Sequence, residues 1–281
     1  MYAVSGASGQ LGRLVLKHLL TLVPAQQIVA TTRTLHTIAD VAASGIAVRQ
    51  ADFTDPRSLP TAFADVTRLL LISTPGQRAE EHTTAIAAAV RAGVTHIIYT
   101  SGINASPTSP ALVQQVHGVT EAALAATSLP WTALRNSYYA EFLPRFIDLL
   151  QEGKVVHLPP GQAGVAWVTR EDCARTAAFV LAGTADLRGP LDVTGPEAVS
   201  LAEVIHRWSG ITGRAVTIDI LPDEHVRAFV MAKGLPASFA TSMVDIAIWA
   251  NREGFAVTNT VEQITGRPPA PIEVVLTQAT S

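Results

Sequence analysis

The chain has 281 residues, of which 48% are hydrophobic and 15% charged, and its formal net charge is −3. These values describe a compact globular protein with a large core, and they exclude the basic surface of a nucleic-acid or anionic-membrane binder. The single cysteine, Cys173, excludes an internal disulfide and a cysteine-rich metal site and suits a reducing compartment. No apolar run reaches the roughly 18 to 20 residues of a membrane helix, and no signal-peptide pattern opens the chain, so we expect a cytoplasmic protein.

The first predicted element is a short apolar strand that breaks into three glycines and then an amphipathic helix. Glycine lets the backbone turn sharply and approach a pyrophosphate, whose charge then meets the free amides and the positive dipole end of the helix. The pattern therefore predicts a dinucleotide site, although a turn whose glycines serve only packing is the alternative. The residues assigned to this site are Gly6, Ser8, Gly9, Gln10, Leu11 and Gly12.

Strand and helix patterns alternate through the next hundred residues. The predicted strands cover residues 27–32, 47–51, 66–73 and 95–100, and the predicted helices cover residues 35–44, 57–64 and 80–92. Such alternation is typical of a parallel sheet covered on both faces. Five consecutive strand-helix units predict an α/β fold with a Rossmann-type, doubly wound parallel sheet.

The second half is less regular. A turn-rich loop runs from Ser101 to Pro110, past the carboxyl end of a central strand, where open α/β sheets bind ligands. The helices predicted after it cover residues 112–126, 170–181, 201–209 and 223–233, and the strands cover residues 131–135, 165–168, 191–193 and 216–220. We expect a nucleotide-binding domain at residues 1–150 and a smaller C-terminal α/β lobe at residues 151–281 that covers the substrate, with the chain crossing between the two.

The end of the second strand indicates which dinucleotide binds. Sites that prefer NAD place a carboxylate there, whereas this chain has Arg33 after two threonines. An arginine can hold a 2′-phosphate through a charge-assisted contact, so we expect NADP(H). Asp52 and Phe53, at the end of the third strand, could flank the adenine. The alternatives are a solvent-exposed Arg33 and a Phe53 that packs in the core.

Several segments together resemble one family. They are residues 6–12, Arg33, Asp52 with Phe53, residues 69–73 and 96–101, His117 with Thr120 and Glu121, and residues 134–139 and 168–172. They resemble the NmrA-like branch of the atypical short-chain dehydrogenase/reductases, and within it the bacterial type 2 NADPH:quinone oxidoreductases and the triphenylmethane dye reductases. The resemblance implies an NADP-bound Rossmann domain, a smaller lobe and a cleft between them for a flat, electron-poor substrate.

The resemblance also implies an activity: an NADPH-dependent reductase that transfers hydride directly to a quinone or similar planar acceptor and holds no flavin. The Tyr-x-x-x-Lys pair of ordinary short-chain dehydrogenases is missing, because none of Lys17, Lys154 and Lys233 follows a tyrosine by four residues. Hydride addition to a quinone gives a stabilised anion, so positioning can supply most of the rate. Two alternatives stay open: an NADP(H)-binding redox-sensing regulator without turnover, and a biosynthetic ketone or imine reductase or isomerase.

The remaining site residues follow from the resemblance. Those expected beside the cofactor are Ile72, Ser73, Thr74, Thr100 and Ser101, and those expected to act in catalysis are His117, Asn136, Tyr138 and Tyr139. His117 replaces a lysine of many relatives and, as a group titrating near neutrality, could supply a proton, or it could be a packing histidine. Glu121 could orient His117 or form a helix-face pair. Asn136 could instead cap a helix, and one tyrosine could pack while the other faces the cleft.

Histidine and carboxylate spacings show no metal site, so we assign none. The expected partner is a small-molecule substrate, without nucleic acid or membrane, and a homodimer is left open.

Overall fold

A computed structural model describes residues 1–74, 78–184 and 187–278. The chain forms two compact units. The first unit is Met1–Asn136, Arg170–Val193 and Thr260–Arg267, and the second unit is Ser137–Thr169, Thr194–Asn259 and Pro268–Ser281. The domains expected at residues 1–150 and 151–281 stay a prediction.

The strands of the described residues are short. In chain order they are Tyr2–Val4 (β1), Ile28–Thr32 (β2), Ala47–Gln50 (β3), Arg68–Leu71 (β4), His96–Gly102 (β5), Trp131–Asn136 (β6), Gln151–Glu152 (β7), Val155–Leu158 (β8), Gly189–Val193 (β9) and Thr217–Ile220 (β10).

Twelve α-helices lie in the same described ranges. They are Gln10–Leu19 (α1), Ala39–Ala43 (α2), Leu59–Ala62 (α3), Ala79–Arg91 (α4), Leu112–Ala125 (α5), Leu143–Leu150 (α6), Arg170–Ala182 (α7), Leu201–Thr212 (α8), Asp223–Met231 (α9), Ala237–Glu253 (α10), Thr260–Thr265 (α11) and Glu273–Gln278 (α12). None of the helices in these ranges combines the length and the hydropathy that a bilayer crossing requires.

The first unit is built on one parallel sheet. Its seven strands follow the order β3-β2-β1-β4-β5-β6-β9, and every neighbouring pair is parallel. The order reverses beside β1, which has β2 on one side and β4 on the other, so that a crevice opens at the carboxyl ends of these strands. The expected Rossmann-type, doubly wound α/β fold is confirmed.

The central strands of this sheet are apolar on both faces. Leu69, Leu70 and Leu71 of β4 and Ile97 and Ile98 of β5 have no exposed surface. Helices cover both faces of the sheet, so these strands are continuous apolar runs in the sequence and do not alternate between apolar and polar residues. Helix α1 packs against α7 through its buried stripe.

The second unit contains a small sheet of order β10-β8-β7, in which β8 is parallel to β10 and antiparallel to β7. The strand predicted at residues 165–168 was wrong, because this stretch forms two isolated bridges, Val165 with Val199 and Val168 with Tyr139. Helix α10 and the β7–β8 hairpin were missed. Helix α10 packs against α9.

The glycine turn makes a stability prediction. A methyl group at Gly12 would collide with the carbonyl oxygen of Gly6 and stand 2.9 Å from the Cα atom of Ala7. Gly12→Ala should therefore destabilise the protein by about 1 to 3 kcal/mol through overpacking. Gly210→Ala is the matched control, because Gly210 lies in α8 with nothing within 4 Å of the added methyl, and alanine favours the helix by about 1 kcal/mol.

Urea unfolding of both variants measures the difference. We expect Gly12→Ala to lower the free energy of unfolding and Gly210→Ala to keep or raise it. Equal effects of the two variants would contradict the close contact at Gly12.

Candidate functional site

The glycine turn joins β1 to α1. Gly6 has a φ of +61°, a left-handed conformation that glycine adopts without strain. The amide of Gly9 donates to the carbonyl oxygen of Gly6 at 3.0 Å, and the amide of Ala7 donates to the carbonyl oxygen of Thr31 at 3.0 Å. Gly12 lies directly against the same Gly6 carbonyl group. The helix can approach the turn this closely only because position 12 has no side chain.

The first turn of α1 leaves backbone donors open. Its first helical hydrogen bond runs from the amide of Arg13 to the carbonyl oxygen of Gly9 at 3.0 Å, and no side chain caps the helix. The amides of Gln10, Leu11 and Gly12 therefore have no acceptor within the helix. Together with the helix dipole they form a site for an anion.

A cavity of about 470 Å³ lies at the carboxyl ends of the strands beside this turn. Nine of the residues predicted to bind cofactor line it: Gly6, Ser8, Gly9, Arg33, Asp52, Phe53, Ile72, Ser73 and Thr74. Six further lining residues were not predicted: Thr31, Thr32, Ala51, Thr54, Arg78 and Glu81. The cavity thus brings together four stretches of the chain, which follow β1, β2, β3 and β4.

Two guanidinium groups stand at this cavity. Arg33 follows β2, has an exposed side chain and forms no ion pair within the described part of the chain. Arg78 precedes α4 and lies 3.7 Å from a carboxylate oxygen of Glu81. Asp52 turns its carboxylate to the amide and hydroxyl of Thr54, at 2.9 and 2.7 Å. Arg33 therefore offers an uncompensated positive charge at the end of β2, while Asp52 is occupied within its own loop.

One hydroxyl at the cavity is left without a partner. The Oγ1 atom of Thr31 is buried, and it neither accepts nor donates a hydrogen bond within the described residues. Buried polar groups are nearly always paired, so an unpaired one at a cavity wall is a point where a ligand can bind. Phe53 is partly buried against the hydrophobic core of the sheet, which was the alternative expected for it, and it also lines the cavity.

Thr100 and Ser101 lie behind the cavity wall, outside the lining. The hydroxyl of Thr100 accepts a hydrogen bond from the amide of Ser73 at 2.8 Å, and so it holds this cavity-lining residue in place. The hydroxyl of Ser101 donates to Glu121 at 2.6 Å, and Arg135 forms two bonds to the same carboxylate, at 2.9 and 2.6 Å. Glu121 is thus committed to a buried ion pair between α5 and β6, and it does not orient His117.

His117, which is half-buried, belongs to a polar cluster with the buried Tyr99 and His82. The hydroxyl of Tyr99 is 2.8 Å from Nδ1 of His117 and 3.3 Å from Nδ1 of His82. Burial lowers the pKa of His117 to about 4, with the neighbouring His82 as a second cause. Burial also raises the pKa of Tyr99. The expectation that His117 titrates near neutrality was wrong, because desolvation keeps the imidazole neutral at ordinary pH.

Asn136 is the last residue of β6 and lies beside Gly102, the last residue of β5, in the strand register. The residue is 8% exposed, and its backbone carbonyl oxygen accepts a hydrogen bond from the amide of Ile103 at 3.0 Å. The first unit therefore holds both His117 and Asn136. Their roles in catalysis stay a prediction.

Tyr138 and Tyr139 belong to the second unit. The ring of Tyr138 lies in an aromatic cluster, with centroid distances of 5.6 Å to Phe255, 6.0 Å to Trp167 and 6.3 Å to Trp249. Tyr139 stacks on Phe142 at 6.2 Å. Both tyrosines are half-buried, and their catalytic assignment stays a prediction. Within the described residues, no three His, Cys, Asp or Glu side chains meet in a way that could hold a metal ion.

The protein has a Rossmann-type α/β fold, because its sheet is parallel and its strand order reverses beside β1. The open amides of the first turn of α1 make the glycine turn a site for an anion. The sequence model of the NmrA-like family matches residues 2–269, and the chain belongs to this family.

Known relatives agree with this membership. Quinone oxidoreductase 2 of Escherichia coli (strain K12) is 36% identical over 272 residues, which are 95% of this chain and 94% of that protein. The solved structure of the E. coli NADPH-dependent quinone oxidoreductase QOR2 complexed with NADPH has a TM-score of 0.92 at 33% identity and covers 100% of both chains. That of Citrobacter sp. triphenylmethane reductase complexed with NADP(H) has a TM-score of 0.89 at 31% identity and covers 99% of both. The resemblance found in the sequence is confirmed.

The lowered pKa of His117 predicts how stability depends on pH. An unfolded chain binds a proton at His117 with the ordinary pKa of 6.5, whereas the folded protein does so only with a pKa of about 4. As the pH falls from 6.5 towards 4 the unfolded state takes up more protons, so the folded state loses stability over this window. His117→Gln should remove this loss, which amounts to about 2 kcal/mol between about pH 7 and about pH 5.

Urea unfolding of both proteins at the two pH values isolates the effect, because His82 and the acidic groups are present in both. Parallel pH profiles of the two proteins would show that His117 is not desolvated.

Proposed function

We propose that the chain is an NADPH-dependent reductase that transfers hydride from the nicotinamide directly to a quinone or a similar planar, electron-poor acceptor. The observation that carries the proposal is the cavity over the glycine turn, with Arg33 at the end of β2 where NAD sites have a carboxylate. The identity to a quinone oxidoreductase over nearly the full length of both chains supports the reductase class.

The residues at the cavity fit such a cofactor. The open amides of Gln10, Leu11 and Gly12 would bind the pyrophosphate, and the unpaired charge of Arg33 would bind the 2′-phosphate. Phe53 would contact the adenine. The acceptor end of the cofactor would lie past Ser73 and Thr74, which follow β4.

The bound cofactor would supply a hydride, that is, one proton with two electrons. The reduced acceptor then carries a negative charge on oxygen, which a hydrogen-bond donor stabilises without being a strong acid. Asn136 ends β6, and the ring of His117, on α5, lies beside Gly102 at the neighbouring end of β5; these two side chains are the proposed donors. The homodimer and the cytoplasmic location stay predictions.

Turnover with a quinone panel tests the function. The purified protein is mixed with NADPH and with benzoquinone, naphthoquinone or phenanthrenequinone, and the loss of absorbance of the reduced nicotinamide is followed. We expect consumption above the uncatalysed rate, kept in Gly210→Ala and reduced in Gly12→Ala, where the helix can no longer approach the turn.

Two outcomes would contradict the proposal. Tight NADPH binding without consumption would favour the redox-sensing regulator, and reduction of ketones or imines without quinones would favour the biosynthetic enzyme.

Arg33 makes a separate prediction about cofactor choice. Arg33→Ala should raise the Kd of NADPH about 10-fold to 100-fold, since a hydrogen bond to a charged group contributes about 1.5 to 3 kcal/mol. The Kd of NADH should stay unchanged, because NADH has no 2′-phosphate. Arg91→Ala is the control, since Arg91 is an exposed arginine at the far end of α4.

Calorimetric titration of both nucleotides into the three proteins gives the constants. Equal weakening of NADPH and NADH would reject the 2′-phosphate role of Arg33.

A further inference from the structure

A continuous chain of hydrogen bonds runs from the cavity wall into α5. The amide of Thr74, a cavity-lining residue, donates to Nε2 of His82 at 3.1 Å. On the other side of that ring, Nδ1 of His82 is 3.0 Å from Oγ1 of Thr120 and 3.3 Å from the hydroxyl of Tyr99. The same hydroxyl is 2.8 Å from Nδ1 of His117. Three side chains on three elements, those of His82, Thr120 and Tyr99, thus connect the cavity to the predicted catalytic histidine.

The first bond of this chain fixes the proton on His82. A backbone amide can only donate, so Nε2 of His82 must accept and carries no proton. His82 is 1% exposed, and burial lowers its pKa, so the ring is neutral and its proton sits on Nδ1. That proton meets the oxygens of Thr120 and Tyr99. Thr120 can accept it, because its own hydroxyl donates to the carbonyl oxygen of Val116 at 2.9 Å.

The direction then passes to His117. The Nδ1 proton of His82 has its shorter contact with Thr120, and the Tyr99 oxygen at 3.3 Å can share it, which leaves the Tyr99 proton available to Nδ1 of His117 at 2.8 Å. In this arrangement Nδ1 of His117 accepts, and the neutral ring carries its proton on Nε2. Two carboxylates lie near the chain: Glu81 precedes His82, and Glu121 is held by Ser101 and Arg135.

The donor edge of His117 lies at the end of β5. A methyl group on Gly102 would stand 2.9 Å from Cδ2 and 3.3 Å from Nε2 of His117, so the ring occupies the space that this glycine leaves. Within the described part of the chain, no residue hydrogen-bonds to Nε2. The carboxyl end of a strand in such a sheet is where ligands bind, so Nε2 of His117 lies beside the strand end where an acceptor is expected.

We propose that Thr74, His82 and Tyr99 act as positioning residues that hold His117 in the Nε2–H tautomer, so that His117 donates a hydrogen bond to the acceptor oxygen. The proposal rests on the proposed function. As hydride arrives with its two electrons, the C–H bond of the nicotinamide breaks and a C–H or O–H bond forms on the acceptor. The oxygen that becomes an anion receives the hydrogen bond from His117, and it takes its final proton from water. His117 keeps its proton and stays neutral throughout.

Histidine tautomers measured by NMR test the proposal directly. In protein labelled with ¹⁵N-histidine, long-range proton-nitrogen correlations distinguish an Nδ1–H ring from an Nε2–H ring. We expect Nδ1–H for His82 and Nε2–H for His117. His96 serves as an internal reference: its Nε2 is 2.9 Å from the Thr132 hydroxyl, which itself donates to the carbonyl oxygen of Leu187, so His96 should be Nε2–H.

Tyr99→Phe removes only the hydroxyl that joins the two histidines. We expect His117 to become a mixture of both tautomers, with His96 unchanged. We also expect kcat for quinone reduction to fall about twofold, with the Kd of NADPH unchanged, because about half of the rings would still present the donor to the developing oxyanion.

An Nδ1–H ring at His117 in the wild type, or a His117 tautomer that Tyr99→Phe leaves unchanged, would overturn the proposal. The wild-type spectrum decides even if the variant does not fold. The tautomers are read without turnover, so a failed quinone assay and a failed tautomer assignment remain separate results.

Discussion

The contact between Gly12 and the carbonyl group of Gly6 is the constraint on which the site depends. It draws the first turn of α1 against the end of β1, beside the point where the strand order reverses. The three amides that follow the cavity-lining Gly9 are then left without helical acceptors, and three other strand ends help to line the same cavity. A side chain at position 12 would separate helix and turn, and the anion site would lose its geometry before any contact with a ligand was made.

The polar residues behind the cavity form two separate networks with different consequences. Arg135, Glu121 and Ser101 make a buried ion pair that joins α5 to β6, and every oxygen of the carboxylate is used within it. Tyr99, His82 and Thr74 make a chain of hydrogen bonds that ends at the ring of His117. The first network stabilises the end of the sheet. The second is proposed to fix which ring nitrogen of His117 carries the proton.

The sequence predicted most of what depends on local pattern. The alternating strands and helices, the glycine turn and Arg33 are each visible within a few neighbouring residues, and the fold and nine cavity-lining residues agree with them. The polar chain could not be predicted, because His82 reads as one more residue of an amphipathic helix and Tyr99 as one more of an apolar strand. Their contact depends on how α4 and α5 are placed against β5, and so do the pKa of His117 and the pairing of Glu121. Arg78 was missed because it follows no strand directly and only the packing of α4 brings it to the cavity.

A crystal structure of the protein with NADP⁺ would test the central claim most directly. The account predicts pyrophosphate oxygens within about 3 Å of the amide nitrogens of Gln10, Leu11 and Gly12, with the 2′-phosphate on the guanidinium group of Arg33. A nucleotide bound elsewhere on the sheet, with the amides of the first helical turn facing water, would contradict it.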